Sequence, residues 1–334
     1  MSKTLEVVLK RQIEDLPTAA DFELVERPRP TSAPAGQLLV RVLYLSLDPY
    51  IGSRLRGRHM GEPRPGPGER LPGAAVGEVI ATGHPGFAVG DHVVGEAGWA
   101  EYGLVDASEA RKVDPALGVA NHLGVLGMPG LTAWAGVTQL AKVGPGDVFT
   151  VDAAAGSVGG TSGQIARILG AKAVGIAGGA DKVALVKDKY GFDDAVDYRA
   201  EGWVEALKAA TDGGPTVHFE NVGLPILQPV FGLLKLYGRV VLCGLSAHYH
   251  ADGPPPQFGL GPIVGKRAQM LGLVVYDFYP RWAEWVATAT PWLADGRLVQ
   301  VADVAPDLSG APAQFERLMN GANEGKTLVK VAEG

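Results

Sequence analysis

The stretch Val148–Ala177, VFTVDAAAGSVGGTSGQIARILGAKAVGIA, decides the fold. Val148 to Ala153 is a short run frequent in β-branched and aromatic residues, which predicts a strand. Small residues follow, Ala154-Ala155-Gly156-Ser157-Val158-Gly159. Apolar residues then recur with a helical period at Ile165, Ala166, Ile168 and Leu169 until Gly170, and a second apolar run, Ala173 to Ala177, closes the unit. Strand, tight turn, helix and strand within about 30 residues make a βαβ unit. The turn fits A-x-G-x-x-G, a dinucleotide-binding fingerprint with alanine in its first position. Small residues there let backbone N–H groups approach a pyrophosphate at the positive end of the new helix. The strand before and the helix after supply the context that this fingerprint needs. The competing reading is a helix-packing turn with no ligand.

Working outward, 334 residues leave room for two domains, and 47 glycines with 24 prolines predict many turns. The net charge of −6 and the absence of a long basic block argue against a nucleic-acid partner. A single cysteine, Cys243, rules out an internal disulfide and a multi-cysteine metal site. The opening MSKTLEVVLKRQ has no apolar signal-peptide core, and no window reaches the roughly 18 uninterrupted apolar residues of a membrane span. The expectation is a cytoplasmic protein with no membrane partner.

The first part of the chain reads as β-rich. Residues 5–10, 21–28, 37–47, 75–83 and 91–96 are short branched runs divided by proline and glycine, which suits a small barrel or sandwich. Residues 56–72 read as a long surface loop. From Asn121 the pattern turns helical, with an expected break at Met128-Pro129-Gly130. After the fingerprint, helices at 181–189, 201–211 and 224–235 alternate with strands at 194–197, 216–220, 239–243 and 270–275, the pattern of a doubly wound parallel sheet. A last helix over 280–295 is expected to be interrupted at Pro291, and KTLVKV near the end is expected to rejoin the first domain as a strand. The fold class is therefore α/β, a Rossmann domain over 123–297 beside a β domain over 1–122 that is completed by 298–334.

The second strand of the βαβ unit ends in Gly178-Gly179-Ala180-Asp181-Lys182. An NAD site usually places an acid there for the ribose 2′-hydroxyl. Here the position is small and neutral, Lys182 is available for a 2′-phosphate, and Asp181 reads as the N-cap of a helix starting at Lys182. NADP is expected over NAD.

Taken together, LSLDPY (45–50), VGDHV (89–93), GMPGLTAW (127–134), AAAGSVGG (153–160), GIAGGADK (175–182), FENVG (219–223), GRVVLCGLSAHY (238–249) and GANEGKTLVKV (321–331) resemble the medium-chain dehydrogenase/reductases. More narrowly, they resemble the zinc-free NADPH-dependent 2-alkenal, prostaglandin and leukotriene reductases and the curcumin-reductase-like bacterial enzymes. The resemblance covers nearly the whole chain and implies that the β domain is a GroES-like barrel. Gly73-Ala74-Ala75 stands where zinc alcohol dehydrogenases carry Gly-His-Glu, and no early cysteine is present, so no metal site is expected. His59, His84 and His92 are read as surface or packing histidines.

The resemblance implies a cofactor site of Gly156, Ser157, Val158 and Gly159 on the pyrophosphate, and Gly179, Lys182 and Tyr198 at the 2′-phosphate. It further implies Asn221, Cys243, Gly244, Leu245, Ser246, Tyr249, Leu273, Val274 and Val275 beside ribose and nicotinamide, and Asn323 reaching across from the tail. Tyr50 is expected to line the substrate pocket. The chemistry expected is hydride transfer from NADPH to the β-carbon of an α,β-unsaturated aldehyde or ketone. Tyr249 is the candidate donor toward the developing enolate, and the competing assignment gives the proton to water. His248 and His250 flank it and are read as loop residues, and Cys243 as an apolar filler rather than a nucleophile. Two other readings stand beside this one, an NADPH quinone reductase of the same superfamily and a non-catalytic NADPH-binding protein. The run MLGLVVY (270–276) reads as a sheet edge, so a homodimer is expected.

Overall fold

A computed structural model describes residues 2–249 and 257–333. In chain order the elements are β1 (Lys3–Leu9), β2 (Phe22–Pro28), β3 (Gln37–Ser46), α1 (Pro49–Leu55), β4 (Ala74–Thr82), β5 (His92–Glu96), β6 (Tyr102–Asp106) and β7 (Arg111–Lys112). There follow α2 (Met128–Trp134), β8 (Val148–Val151), α3 (Ser157–Ile168), β9 (Lys172–Ala177), α4 (Ala180–Asp188), β10 (Asp194–Asp197) and α5 (Trp203–Ala210). Then come β11 (Val217–Glu220), α6 (Leu224–Leu233), β12 (Arg239–Leu242), α7 (Leu260–Lys266), β13 (Gln269–Gly272) and α8 (Trp282–Ala294), and the chain ends with β14 (Ala302–Ala305), α9 (Ala311–Met319) and β15 (Lys326–Lys330). They fall into two compact units, 1–123 with 302–334, and 124–301.

In the first unit the strands run β14-β15-β3-β4-β5-β7, with β6 also pairing β3. The β3–β4 pairing shifts register between Leu39 and Val40 and again between Val42 and Tyr44, irregularities that bend and twist a sheet. Its core gathers Trp99, stacked on Phe22 at 5.4 Å and edge-on to Phe315 of α9 at 5.3 Å. The tail strand β15 pairs antiparallel with β3, and buried Lys326 donates to Asp48 Oδ1 at 2.6 Å and to Leu47 O at 3.2 Å. Asp48 is the residue before α1, so the tail strand is tied by this ion pair to the entry of the helix that carries Tyr50. Residues 298–301 belong with the second unit rather than with the tail, because Gln164 and Val299 exchange hydrogen bonds (2.8 and 3.1 Å) and Gln300 accepts from Val125 N.

The second unit is a parallel sheet in the order β10-β9-β8-β11-β12-β13. The crossovers run outward from β8 through β9 to β10, then return to β11 on the other side. The βαβ unit forms where the fingerprint predicts it. Helix α3 starts at Ser157 with Gly156 as its cap residue. Its glycines are packing devices, since a Cβ at Gly163 would lie 1.8 Å from Phe192 Cζ and one at Gly160 would lie 2.4 Å from Tyr190 Cε2.

Four local expectations are corrected. Pro129 opens α2 instead of breaking a helix, because the first turn needs no N–H from it. Pro291 sits within α8, which runs on to Ala294. Asp181 lies in the first turn of α4, whose cap residue is Gly179, so it faces the helix dipole rather than capping the helix. Strand β13 stops at Gly272, and Val275 begins a 3₁₀ segment through Arg281.

Gly163→Ala should lower unfolding stability by about 1–3 kcal/mol, read from urea unfolding of the purified protein, because one added carbon overpacks the α3 contact with Phe192. An unchanged midpoint would show that this contact yields freely.

Candidate functional site

In an open parallel sheet, ligands bind beyond the carboxyl ends of the strands, at the point where the strand order reverses. That point lies between β8 and β11. The turn after β8 carries Ala153 in a left-handed conformation (φ 44°) and leads through Gly156 into α3. A Cβ at Gly159 would meet Ala153 O at 2.4 Å, so only glycine permits this turn. Gly156 has no side chain with which to satisfy the first-turn N–H groups of Ser157, Val158 and Gly159, which leaves that end suited to an anion.

The turn after β11 is Asn221-Val222-Gly223. Asn221 directs Nδ2 to Asp152 O (3.2 Å) and Asp152 Oδ1 (3.3 Å). The segment after β12 hangs on this turn. Cys243 N and Gly244 N donate to Glu220 O, Ser246 N to Asn221 O and Ala247 N to Val222 O. A Cβ at Gly244 would lie 2.9 Å from Asn221 O and 3.3 Å from the Tyr249 hydroxyl. Leu245 N donates to that hydroxyl at 3.4 Å. Burial pushes the Tyr249 phenol above its ordinary value, so it is protonated at neutral pH. Burial, then the Asp152 and Glu220 carboxyls, push the Cys243 thiol up to about 12, which keeps it unreactive. His248 accepts from Leu224 N at 3.3 Å and so caps α6; His250 lies outside the described residues. Leu273 N bonds Leu242 O at 2.9 Å, which starts the Leu273-Val274-Val275 segment at the end of β12; Leu273 is buried and Val274 exposed.

Beyond β9 and β10 a second cluster forms. A Cβ at Gly178 would sit 2.8 Å from the Tyr198 ring and 2.9 Å from Arg199 Nε, so both side chains lie against the Gly178–Gly179 corner. Arg199 also lies 5.7 Å from the centre of the Tyr198 ring. Half-buried Lys182 is in the first turn of α4. Asp197 accepts from Gly179 N and Arg199 N, both 2.9 Å, and these two bonds hold its carboxyl below the usual range. The acid of this corner is thereby turned to the backbone. Arg199 is missing from the sequence-based site; its adjacency to Tyr198 was the available signal.

Known proteins support one family. Residues 6–113 match a model described as the N-terminal domain of oxidoreductase, and residues 157–295 one described as zinc-binding dehydrogenase. A 2-alkenal reductase (NADP(+)-dependent) of Nicotiana tabacum is 35% identical, over 98% of this chain and 97% of its own. The NADPH-dependent curcumin reductase of Escherichia coli (strain K12) is 33% identical over 97% and 96%. The crystal structure of CurA in complex with NADPH from Vibrio vulnificus superimposes with a TM-score of 0.91 at 34% identity, covering 99% and 100%. The chain belongs to the medium-chain dehydrogenase/reductases.

Within this medium-chain reductase the remaining assigned residues lie in the first unit. Tyr50, half-buried on α1, has its ring 5.1 Å from that of His59. Burial, the largest influence on His59, lowers its tendency to protonate. Asn323 donates Nδ2 to Gly325 O at 3.0 Å, so its amide fixes the turn before β15. Among the described residues the one group of three with metal-ligand spacing is Asp152, His218 and Glu220, all fully buried, with donor atoms within 4.8 Å of one another. Their oxygens are taken up by backbone N–H groups and by His218 itself, which fits a hydrogen-bonded cluster rather than a cation. No sequence pattern announced this group, because about 70 residues separate Asp152 from its partners and only strand pairing joins them.

Proposed function

We propose that this protein is an NADPH-dependent reductase of carbon–carbon double bonds conjugated to a carbonyl. The observation that carries the cofactor is the Gly178–Gly179 corner, with Tyr198 and Arg199 against it, Lys182 in the following helical turn, and Asp197 bound to backbone through Oδ1. A ribose 2′-hydroxyl finds that carboxylate oxygen already engaged, whereas a 2′-phosphate meets two cations. The alkene is supported by the activities of the tobacco 2-alkenal reductase and the bacterial curcumin reductase.

In this reading the N–H groups of Ser157, Val158 and Gly159 bind the pyrophosphate. Gly179, Lys182, Tyr198 and Arg199 bind the 2′-phosphate. Asn221 presents Oδ1, since its Nδ2 is turned to Asp152, and Cys243–Ser246 with Leu273–Val275 complete the walls. NADPH, when bound, supplies the hydride for the β-carbon. Tyr249, protonated at neutral pH, donates toward the carbonyl oxygen as negative charge develops on it, and the α-carbon then takes a proton. Tyr50 and Asn323 keep the substrate and cofactor roles that the resemblance gives them. The free edge of β13, with Val274 beyond it and the exposed Leu260 and Val264 of α7, is the surface for a homodimer, and the single thiol suits the reducing cytoplasm. Among the described residues no helix is long and apolar enough to cross a membrane.

Lys182→Ala and Arg199→Ala should each raise KM for NADPH about tenfold or more while leaving KM for NADH within about twofold, since each removes a charge-assisted phosphate contact. Equal effects on both cofactors would contradict the 2′-phosphate assignment. With saturating NADPH, a conjugated alkenal should be reduced faster than benzoquinone, and Tyr249→Phe should lower the alkenal kcat about 100-fold. A quinone-only enzyme would overturn the proposed reaction, and an unchanged kcat in the variant would give the proton to water.

A further inference from the structure

The buried cluster beneath the fingerprint turn is not used by the mechanism above. Register places Thr150 of β8 opposite His218 of β11 and ends at Val151 and Phe219; Asp152 N still bonds Phe219 O at 3.3 Å, so Asp152 and Glu220 follow just beyond the last pair. The four polar residues are inaccessible to solvent. The shortest contact of the Thr150 hydroxyl sets the protons of the imidazole. Thr150 Oγ lies 3.0 Å from His218 Nδ1 and 3.3 Å from Val217 O, and the shorter contact takes its proton. His218 Nε2 then carries the ring proton and donates to Glu220 Oε2 at 3.1 Å. Glu220 Oε1 accepts from Val222 N at 2.7 Å and from Gly223 N at 2.6 Å. Glu220 thus receives three donors.

Asp152 stands beside it. Its Oδ1 accepts from Asn221 N at 2.6 Å, its Oδ2 accepts from Val222 N at 3.1 Å, and an oxygen of its carboxyl lies within 4.8 Å of one of Glu220. Two carboxyls this close and fully buried inside a sheet do not both ionise. We infer that Asp152 and Glu220 hold one proton between them, and that Asp152 serves as a positioning residue for the nucleotide site. It does so through Asn221. By accepting from the Asn221 backbone N–H and side-chain Nδ2, Asp152 leaves Asn221 Oδ1 as the group presented to a ligand hydroxyl or amide. This role rests on the nucleotide reading given above.

Burial, then the neighbouring Glu220, push the Asp152 carboxyl well above the ordinary carboxylate range, and burial lowers His218 from its ordinary value, in keeping with a neutral acid and a neutral imidazole. The other titratable groups facing the cluster are Cys243, from the end of β12, and beyond it His248 and Tyr249.

The test pairs a spectrum with binding. The infrared difference between the protein and Asp152→Asn at pH 8 should show a protonated-carboxyl stretch that the variant lacks. An asparagine reproduces the neutral acid, accepting through Oδ1 and donating through Nδ2, so Asp152→Asn should bind NADPH within about threefold of the parent. Asp152→Leu, which offers Asn221 no acceptor, should bind about tenfold or more weakly. No protonated-carboxyl band, or an Asp152→Asn variant weakened more than about tenfold, would overturn the inference. If Asp152→Leu does not fold, the spectrum and Asp152→Asn still decide it. Absence of NADPH binding by the parent protein would instead overturn the nucleotide reading, leaving the band to report on the proton.

Discussion

The strand order of the parallel sheet reverses between β8 and β11, and the rest of the site follows from that reversal. Helices leave these two strands in opposite directions, so a crevice opens above their carboxyl ends. Backbone groups at such a crevice need fixed partners if the turns are to stay put. Here the partners are buried carboxyls, with Asp152 at the end of β8 and Glu220 at the end of β11 between them accepting from Asn221, Val222 and Gly223. The segment carrying Cys243 to Tyr249 is in turn hung from the Asn221 turn. The fingerprint turn, the asparagine and the tyrosine are therefore held by one hydrogen-bonded foundation.

The same logic separates charge by sign. The negative charge of the buried carboxyl pair stays inside the sheet, met by backbone N–H groups and by His218. At the corner beyond β9 Asp197 is bound to backbone, and Lys182 and Arg199 are the cations proposed for the 2′-phosphate. A phosphorylated ligand bound as proposed would meet N–H groups, a helix terminus and cations there.

How much of this was legible in the sequence varied with the range of the interaction. The βαβ unit was legible because its strand, turn and helix are contiguous, and because glycine at 156 and 159 answers to a local steric need. Helix boundaries around proline were misjudged: Pro129 opens α2, where no N–H is required of it, and α8 continues through Pro291 even though that position lacks the N–H for Ala287. The strand expected over 270–275 stops at Gly272, after which Leu273 N still bonds β12 but the backbone soon turns. Asp152, His218 and Glu220 were invisible as a group because their contact is made by parallel pairing of strands distant in the chain. The tail strand was readable as a β run, whereas its buried Lys326–Asp48 tie was not, because an isolated lysine in a sequence gives no sign of burial.

Hydride delivery to the alkene carbon of a conjugated carbonyl can be followed by reducing an alkenone with NADPH deuterated at the transferred position and taking the NMR spectrum of the product. The expected product is a saturated ketone with deuterium on the β-carbon and a solvent-derived hydrogen on the α-carbon. An allylic alcohol with deuterium on the carbonyl carbon would contradict hydride transfer to the alkene.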